Sequence, residues 1–484
     1  MVAVVGSTGT GKSQLAVELA EYAAARGLRA EAISADSMQT YRGLDVITNK
    51  ASKQEMRAVP HHLMSFLPPG SEYDITQFVR DATRLCAEME ERGTLPILVG
   101  GTTYYVQHFL FPGQLVSQAG PPAAALSPAM QARISALPPD LHTLWTEMIA
   151  GPAGEDLPLA SHASQLWALL HALDPDSARR WHYNDFRKVY RSLRILYESG
   201  KPQSEWLHAQ DARDRERQRQ DPRRRLLFWV WSARDVLNAR LNARIEKMID
   251  RGLLQEIQAL RAMAREQSPA TDYTRGIFQA IGTCCMLTAG YKEFDAYLTH
   301  RDQGGTHEEA QELFDQAIVS MQTATRRYAK RQNSWIRNQL VPEIQKAQAA
   351  GEEVWLYLLD ATDVTQWDTQ VRAPAERLLQ SFLEGSPMPD ATQQSAAAAE
   401  QLQVEPKGGG RLERNRLVQC DVCTHDASQP FLFRENERYK HEQSRTHRYA
   451  LKRRTRDAYI AACKASGESV RQERHQSPTP VEND

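Results

Sequence analysis

Residues 2–13 read VAVVGSTGTGKS, and the helix-type sequence QLAVELA follows at residues 14–20. An apolar run typical of a buried strand therefore leads into a glycine-rich turn that opens a helix, which is the sequence context of a P-loop. Glycines let successive backbone N–H groups curve around a phosphate, and the positive end of the following helix faces the same anion. The sequence predicts a diphosphate or triphosphate site in which Ser13 binds Mg²⁺. Its residues are Gly6, Ser7, Thr8, Gly9, Thr10, Gly11, Lys12 and Ser13.

Two further strand-type segments end in polar residues. AEAIS at residues 30–34 precedes Asp36, and TLPILVG at residues 94–100 precedes Thr102. Ligands of open parallel α/β sheets lie at the carboxyl ends of the strands, so we expect Asp36 to face Lys12. Asp36 is then a magnesium ligand or a base, and the alternative is a solvated acid that caps the next helix. The second segment ends in Gly-Gly-Thr, where P-loop hydrolases usually have an acid, which argues against an ATPase or a motor.

Composition and charge narrow the class of protein. The chain has 484 residues, a formal net charge of -1 and six cysteines. This length allows two or three domains, and the net charge means that any contact with nucleic acid depends on local basic patches. Six cysteines in so long a chain do not form a disulfide framework, which indicates a reducing compartment. Because no apolar run of membrane-spanning length and no signal peptide are evident, we expect a soluble, intracellular protein.

The pattern along the chain predicts an α/β fold with additions. We expect a P-loop NTPase-like parallel sheet core over residues 1–115 and 216–384, with a helical insertion over residues 116–215. Residues 385–410 have the composition of a flexible linker, and a zinc finger over residues 411–455 and a polar disordered tail over 456–484 follow.

Two basic segments are candidate nucleic-acid contacts. The first, residues 184–194, carries Arg187, Lys188 and Arg191, and a solvated charged face explains it equally well. The second, residues 323–337, is a strongly basic helix with interleaved aromatic residues. Basic charge together with stacking rings suits a phosphate backbone and unstacked bases.

The C-terminal region contains a candidate metal site. Cys420 and Cys423 are followed by His441 and His447, a spacing that predicts a tetrahedral structural Zn²⁺ site. His425 is a competing ligand. Lysines and arginines surround the site and indicate contact with a phosphate backbone.

Six motifs together resemble those of the tRNA dimethylallyltransferases. They are GSTGTGKS at residues 6–13, SADSMQTY at 34–41, GGTTY at 100–104, QAIG at 279–282, YKEF at 291–294 and YAKRQ at 328–332. The likeness extends in order from residue 1 to about residue 340, and the added zinc finger is similar to that of the eukaryotic members. In one place the chain departs from the family pattern, because residues 283–290 separate Gly282 from Tyr291. This segment is either an insertion or retained non-coding sequence.

The resemblance implies transfer of a dimethylallyl group from its diphosphate to the exocyclic amine of the adenosine 3′-adjacent to the anticodon. It implies that the P-loop binds the prenyl diphosphate with Mg²⁺, and that Asp36, Thr102 and Lys12 are catalytic. Asp36 would accept a proton from the adenine amine, and Thr102 would orient the base or the diphosphate. The implied tRNA-binding residues are Asp36, Ser37, Met38, Gln39, Arg187, Lys188, Arg191, Lys330, Arg331, Gln332, Trp335 and Arg337.

Two other functions remain open from the residues alone. The P-loop by itself fits a small-molecule kinase, which has no use for the basic helix or the zinc finger. The chain could also be a tRNA-binding homologue with impaired catalysis, given the segment at 283–290. We expect a monomer in the cytoplasm, and mitochondrial and nuclear pools remain open.

Overall fold

The computed structural model describes residues 1–69, 71, 73–111, 126–150, 163–209, 224–267, 288–404, 416–426 and 430–466. The chain divides into two compact units. The core unit comprises Met1–Leu115 and Arg213–Pro406, and the second unit comprises Val116–Ala212 and Lys407–Asp484.

A six-stranded sheet forms the centre of the core unit. All its pairings are parallel, in the order β3-β2-β4-β1-β5-β6. Its strands are β1 (Val2–Gly6), β2 (Ala30–Ser34), β3 (His61–His62), β4 (Leu95–Gly100), β5 (Arg225–Trp231) and β6 (Val354–Asp360). Parallel sheets are covered on both faces, which explains why β1 and β4 are apolar and buried along their whole length. The predicted α/β fold with a parallel P-loop core is confirmed.

Helices cover both faces of this sheet. Side chains alternate along a strand, so Ala3 and Val5 of β1 face one layer while Val2 and Val4 face the other. The second layer includes Leu15 and the rest of the apolar stripe of α1. The helices of the N-terminal segment are α1 (Lys12–Ala24), α2 (Lys53–Met56), α3 (Ile75–Glu91) and α4 (Thr103–Leu110).

The later helices of the core unit build a third apolar cluster next to the sheet. It joins Met38 and Leu44, which follow β2, to Met248 and Phe294. The helices that contribute to this cluster are α10 (Arg234–Asp250), α11 (Leu253–Gln267), α12 (Thr288–Asp302) and α13 (His307–Trp335). The remaining helices, α14 (Val341–Ala349), α15 (Ala373–Glu384) and α16 (Ala396–Leu402), pack in the two layers that cover the sheet. A π-helical turn at Ile336–Leu340 connects α13 to α14.

The stretch predicted to be a flexible linker is partly built into the core unit. It contains a 3₁₀ turn at Ala391–Gln393 and helix α16, whose Ala398 and Leu402 are buried against the sheet. The run of alanines after Ser395 has high helix propensity, and the Ser395 hydroxyl caps the helix by accepting from the Ala398 N–H at 3.0 Å. The linker prediction is therefore corrected for residues 385–404, and residues 405–410 lie outside the described residues.

The second unit contains helices around its own apolar cluster, together with the cysteine-rich region. The cluster includes Leu166, Leu170, Val189 and Leu193. Its helices are α5 (Pro128–Ser135), α6 (Pro139–Ala150), α7 (Ala163–Leu173), α8 (Pro175–Ala178) and α9 (Phe186–Ser199). The cysteine-rich region has strands β7 (Leu417–Gln419) and β8 (Leu432–Arg434), which pair antiparallel, and helices α17 (Arg438–Glu442) and α18 (Arg445–Ser466).

Helix α18 continues beyond residue 455, where the sequence predicts a disordered tail. The run RTRDAYIAACKAS at residues 454–466 contains no glycine or proline that would end a helix. The remainder of the predicted tail, residues 467–484, lies outside the described residues. Among the helices that the structure describes, none has the length and apolar character needed to cross a membrane.

Candidate active site

The P-loop between β1 and α1 forms the first wall of the site. Gly11 precedes α1 with φ of 91°, a left-handed conformation that side chains other than glycine rarely adopt. The Lys12 ammonium donates to the Ser7 carbonyl at 2.7 Å, and the Thr10 hydroxyl donates to the same carbonyl at 3.0 Å. These contacts close the loop at the beginning of α1, where an anion is favoured.

The ends of β2 and β4 form the second wall. Gly100 lies so close to β2 that an added Cβ would be 2.2 Å from the Ala35 carbonyl oxygen, so only glycine fits there. The Thr102 hydroxyl accepts from the Ser37 N–H at 3.1 Å, and Asp36 Oδ1 accepts from the Met38 N–H at 3.1 Å. Asp36 and Lys12 line the same cavity, as the strand order requires.

The charged groups in this cavity have shifted pKa values. Burial raises the pKa of Asp36 above its ordinary value, although the N–H of Met38 and the charge of Lys12 act in the opposite direction. Burial lowers the pKa of Lys12 to about 8 and that of Arg244 to about 10. The charged form of each group is less hydrated here than at the surface. Binding of an oppositely charged ligand is therefore more favourable.

Arg244 is a site residue that the sequence did not predict. Helix α10 presents its guanidinium to the P-loop, where Nη1 donates to the Thr8 hydroxyl at 2.8 Å. The buried Nε atom has no hydrogen-bond partner among the described residues. Strand β5, which pairs with β1, brings α10 beside the P-loop, but no signal in the sequence shows which face of α10 meets it.

The cavity has a volume of about 630 Å³ and contains a polar and an apolar region. The polar region is formed by the P-loop, Asp36 and Arg244. The apolar region contains the side chains of Met38, Ile47, Met248, Met321 and Ala324. A small ligand with a phosphorylated end and a short apolar end matches both regions in size and in chemistry.

The predicted tRNA-binding residues of the core unit differ in their exposure. Lys330 and Arg331 on α13 are exposed, whereas Gln332 is 4% exposed and points toward the P-loop. The Trp335 indole donates to Gln107 Oε1 at 3.0 Å, and Arg337 is half-buried.

The four consecutive candidates Asp36, Ser37, Met38 and Gln39 all belong to the turn that follows β2. Ser37 and Met38 are buried, and the Gln39 amide donates to the carbonyls of Thr48 and Asn49 at 3.4 Å. This turn lines the cavity through three of the four.

The basic candidates of the second unit lie together on α9. Arg187, Lys188 and Arg191 are all exposed. Lys188 pairs with Asp185 at 3.1 Å and lies over the Trp181 ring. The structure therefore presents them to solvent, where a phosphate backbone can reach them.

The cysteine-rich region brings together the four predicted metal ligands. The donor atoms of Cys420, Cys423, His441 and His447 all lie within 4.8 Å of one another. The four separations between close donor pairs are 3.0 to 3.7 Å, and a tetrahedral ion with ligands at roughly 2.0 to 2.3 Å needs about 3.5 Å. The donor set therefore fits a metal ion, whereas His425 is exposed and outside the group.

Burial favours the protonated form of the Cys423 thiol. Burial and the neighbouring Cys420 raise the pKa of Cys423 to about 11. A bound cation displaces such protons, so metal binding at this group releases protons to solvent.

Fold and cavity define a P-loop α/β protein in which the cavity joins the P-loop to an apolar region and β4 is followed by Gly101 and Thr102 rather than by the acid of nucleotide hydrolases. The model of the IPP transferase family matches residues 39–339. The chain belongs to the IPP transferase family.

Similar proteins are known from several eukaryotes. A tRNA dimethylallyltransferase of Schizosaccharomyces pombe is 32% identical over 93% of this chain and 94% of its own length. The human tRNA dimethylallyltransferase is 30% identical over 100% of this chain and 93% of its own length. A solved structure of a eukaryotic dimethylallyltransferase acting on tRNA superposes with a TM-score of 0.67 at 29% identity, covering 96% of this chain and 99% of that one. The resemblance noted from the motifs is confirmed at the level of the family.

Of the departure at residues 283–290, residues 283–287 lie outside the described residues. So does the QAIG motif at 279–282. The described chain resumes at Thr288, and Gly290 donates its N–H to Glu293 Oε2 at 2.6 Å at the beginning of α12.

Proposed function

We propose that the chain transfers a dimethylallyl group from dimethylallyl diphosphate to the exocyclic amine of the adenosine 3′-adjacent to the anticodon in tRNA, forming isopentenyladenosine. The observation that carries this proposal is the single cavity in which P-loop, Arg244 and Asp36 meet an apolar region. The names of the relatives support the same reaction.

The diphosphate is the leaving group, and the polar region of the cavity binds it. The P-loop from Gly6 to Ser13, with Lys12 and Arg244, stabilises the negative charge that develops as the carbon–oxygen bond of the allyl diphosphate breaks. Ser13 would hold Mg²⁺, whose chemistry is to neutralise diphosphate oxygens. The apolar region receives the dimethylallyl group.

The acceptor side of the reaction is assigned to the turn after β2 and to Thr102. The adenine amine forms the new carbon–nitrogen bond, and Asp36 accepts the proton that the amine loses. Thr102 holds the turn through Ser37 and orients the base beside it. An anticodon-loop base must leave its stack to reach this position, which loop bases do at low cost.

Binding of tRNA is assigned to the exposed cations and to the metal centre. Lys330 and Arg331 on α13 and the basic residues of α9 contact the phosphate backbone and position the anticodon stem-loop. Zn²⁺ is the ion that two thiolates and two imidazoles select for a structural site, and the surrounding basic residues grip the tRNA stem. We further propose that the chain acts as a monomer in the cytoplasm.

One incubation tests the proposal. The purified chain is mixed with Mg²⁺, dimethylallyl diphosphate and an unmodified tRNA with adenosine beside its anticodon, and the nucleosides are analysed by mass spectrometry. We expect isopentenyladenosine. Tight tRNA binding without product, with binding measured in parallel, identifies a catalytically impaired homologue, and consumption of ATP in a separate incubation with a small acceptor identifies a kinase.

A further inference from the structure

Gln332 belongs to the basic helix α13, but its side chain points into the protein interior. It is buried, whereas its neighbours Lys330 and Arg331 are exposed. A buried amide must find partners for both its oxygen and its nitrogen, or it destabilises the fold. Its partners belong to the two walls of the site: Thr8 lies in the P-loop, and Gly101 follows β4.

The amide of Gln332 bridges these walls. Its Oε1 atom accepts from the Thr8 N–H at 2.7 Å, and its Nε2 atom donates to the Gly101 carbonyl at 2.8 Å. A backbone N–H can only donate and a carbonyl can only accept, so these partners fix the orientation of the amide. The Tyr328 hydroxyl, one turn earlier on α13, accepts from Nε2 at 2.7 Å.

The bridge continues to the Asp36 carboxylate through one peptide group. The N–H of Gly101 donates to Asp36, while the carbonyl of Gly101 accepts from Gln332. An added Cβ on Gly101 would lie 2.6 Å from Gln332 Nε2 and 3.4 Å from Asp36 Oδ2, so glycine allows the close approach. A continuous chain of hydrogen bonds therefore connects the P-loop with Asp36.

We infer that Gln332 is a positioning residue that sets the separation between the diphosphate site of the P-loop and the Asp36 carboxylate. The inference rests on the proposed function, in which one wall binds the leaving group and the other the acceptor. It differs from the role as a tRNA contact that the sequence implied for Gln332.

The side chains most similar to glutamine do not supply the same bridge. Asparagine is shorter by one methylene, glutamate lacks the donor for Gly101, and methionine keeps the length but makes neither bond. The transfer joins two bound substrates, and a displacement of about 1 Å between them costs about 100-fold in rate. A defect in Gln332 should therefore reduce kcat rather than substrate affinity.

The test compares Q332M with Q311M in the full chain. Gln311 is exposed on the same helix and is the matched control. The rates with dimethylallyl diphosphate and unmodified tRNA are measured together with tRNA binding. We expect Q332M to lose about 100-fold in kcat, while KM for the diphosphate and Kd for tRNA change by less than about threefold. Q311M should behave as the wild type.

Tyr328→Phe provides a second variant if Q332M does not fold. It keeps the bonds of Gln332 to Thr8 and Gly101 but removes the hydroxyl that accepts from Nε2, so we expect a loss of about tenfold in kcat.

Three results overturn the inference. The first is a kcat of Q332M, or of Tyr328→Phe where Q332M does not fold, within about threefold of wild type. The second is a rise in KM for the diphosphate alone. The third is a rise in the Kd for tRNA alone, which makes Gln332 a tRNA contact. An inactive wild type contradicts the proposed function instead, whereas a fully active wild type and Q332M contradict only the role of Gln332.

Discussion

Asp36 and Lys12 have opposite charges and respond in opposite ways to the same burial. The pKa of Asp36 is raised and that of Lys12 is lowered to about 8, because each group loses hydration in its charged form. Their mutual attraction compensates only in part. Such an arrangement costs stability and is typical of a site that is kept for function.

The variant Asp36→Asn tests whether the Asp36 carboxyl lowers the stability of the fold and is needed for transfer. The amide cannot accept the proton of the adenine amine, so we expect transfer to fall by about 10²- to 10⁴-fold. A carboxyl with a raised folded-state pKa favours the fold at low pH, and this contribution is lost as the pH rises through that pKa. The variant is uncharged at every pH, so its free energy of unfolding at pH 7 should be no lower than that of the wild type.

Two measurements decide the outcome for Asp36. Urea denaturation at pH 7 gives the stability, and the rate of wild-type transfer against pH should fall on the acid side at a pH above the ordinary range of carboxyl groups. A variant that retains a tenth or more of the wild-type rate removes Asp36 from the mechanism.

Arg244→Gln tests the residue that the sequence missed. The guanidinium lies beside Thr8 in the cavity, and its loss removes a cation from the developing diphosphate charge. We expect kcat/KM for dimethylallyl diphosphate to fall by about 10²- to 10³-fold, with tRNA affinity retained. Lys247→Gln, an exposed position on the same helix, is the control. Equal kcat/KM in the two variants would exclude a role in diphosphate binding.

The residues that could be predicted are those whose signal is contiguous in the sequence. Gly6 to Ser13 follow a strand and open a helix, and Asp36 and Thr102 follow strands, so each is located by its own segment. Arg244 and the bridging role of Gln332 depend on which face of a distant helix meets the P-loop. That information is present only in the tertiary packing.

At the scale of elements, the loop over residues 44–50 is held by two charged side chains. Glu256 of α11 accepts from the N–H groups of Asp45, Val46 and Ile47 at 2.8 to 2.9 Å. The buried Lys50 ammonium donates to Asp45 Oδ1 at 2.8 Å. Because this loop forms one wall of the cavity, Glu256 and Lys50 stabilise the conformation of that wall.

Glu256→Ala should loosen that wall. Three backbone N–H groups lose their acceptor, so we expect the free energy of unfolding to fall by about 1 to 3 kcal/mol. We also expect KM for dimethylallyl diphosphate to rise, because Ile47 lies in the apolar region. Glu246→Ala, at an exposed position on α10, is the control for both measurements. A variant with unchanged KM would mean that the loop keeps its place without Glu256.

The apolar pattern along the chain predicted the strands of the core better than composition predicted the segment over residues 385–404. A stretch rich in alanine, serine and glutamine resembles a linker by composition, but Ala398 and Leu402 find an apolar surface on the core unit. The contacts that order this segment lie with residues distant in the sequence, on strand β6. Periodicity over one short helix is too weak a signal to reveal it.

At the scale of the whole molecule, a formal net charge of -1 coexists with concentrated basic surfaces. Long-range attraction of RNA by the whole chain is therefore small, and binding depends on where cations are clustered. The cysteine-rich region carries one such cluster on α17 and α18, where Arg438, Lys440, Arg448 and Lys452 are exposed. Its fold depends on few apolar contacts, since its buried cluster consists of Cys420, Cys423 and Ala450.

Cys420→Ser should therefore unfold this region and weaken tRNA binding while the core unit keeps its activity toward the diphosphate. Small metal-bound folds owe their stability to the ion, so loss of a ligand or treatment with a chelator has the same effect. We expect the Kd for tRNA to rise and its dependence on salt to become less steep, because fewer phosphates are neutralised.

His425→Ala removes a nearby exposed imidazole outside the ligand group and is the matched control for Cys420→Ser. Binding titrations at several salt concentrations, with dimethylallyl diphosphate affinity measured in parallel, separate the possibilities. An unchanged salt slope in Cys420→Ser would show that these cations do not contact the tRNA, and a loss of diphosphate affinity would show that the region supports the core unit instead.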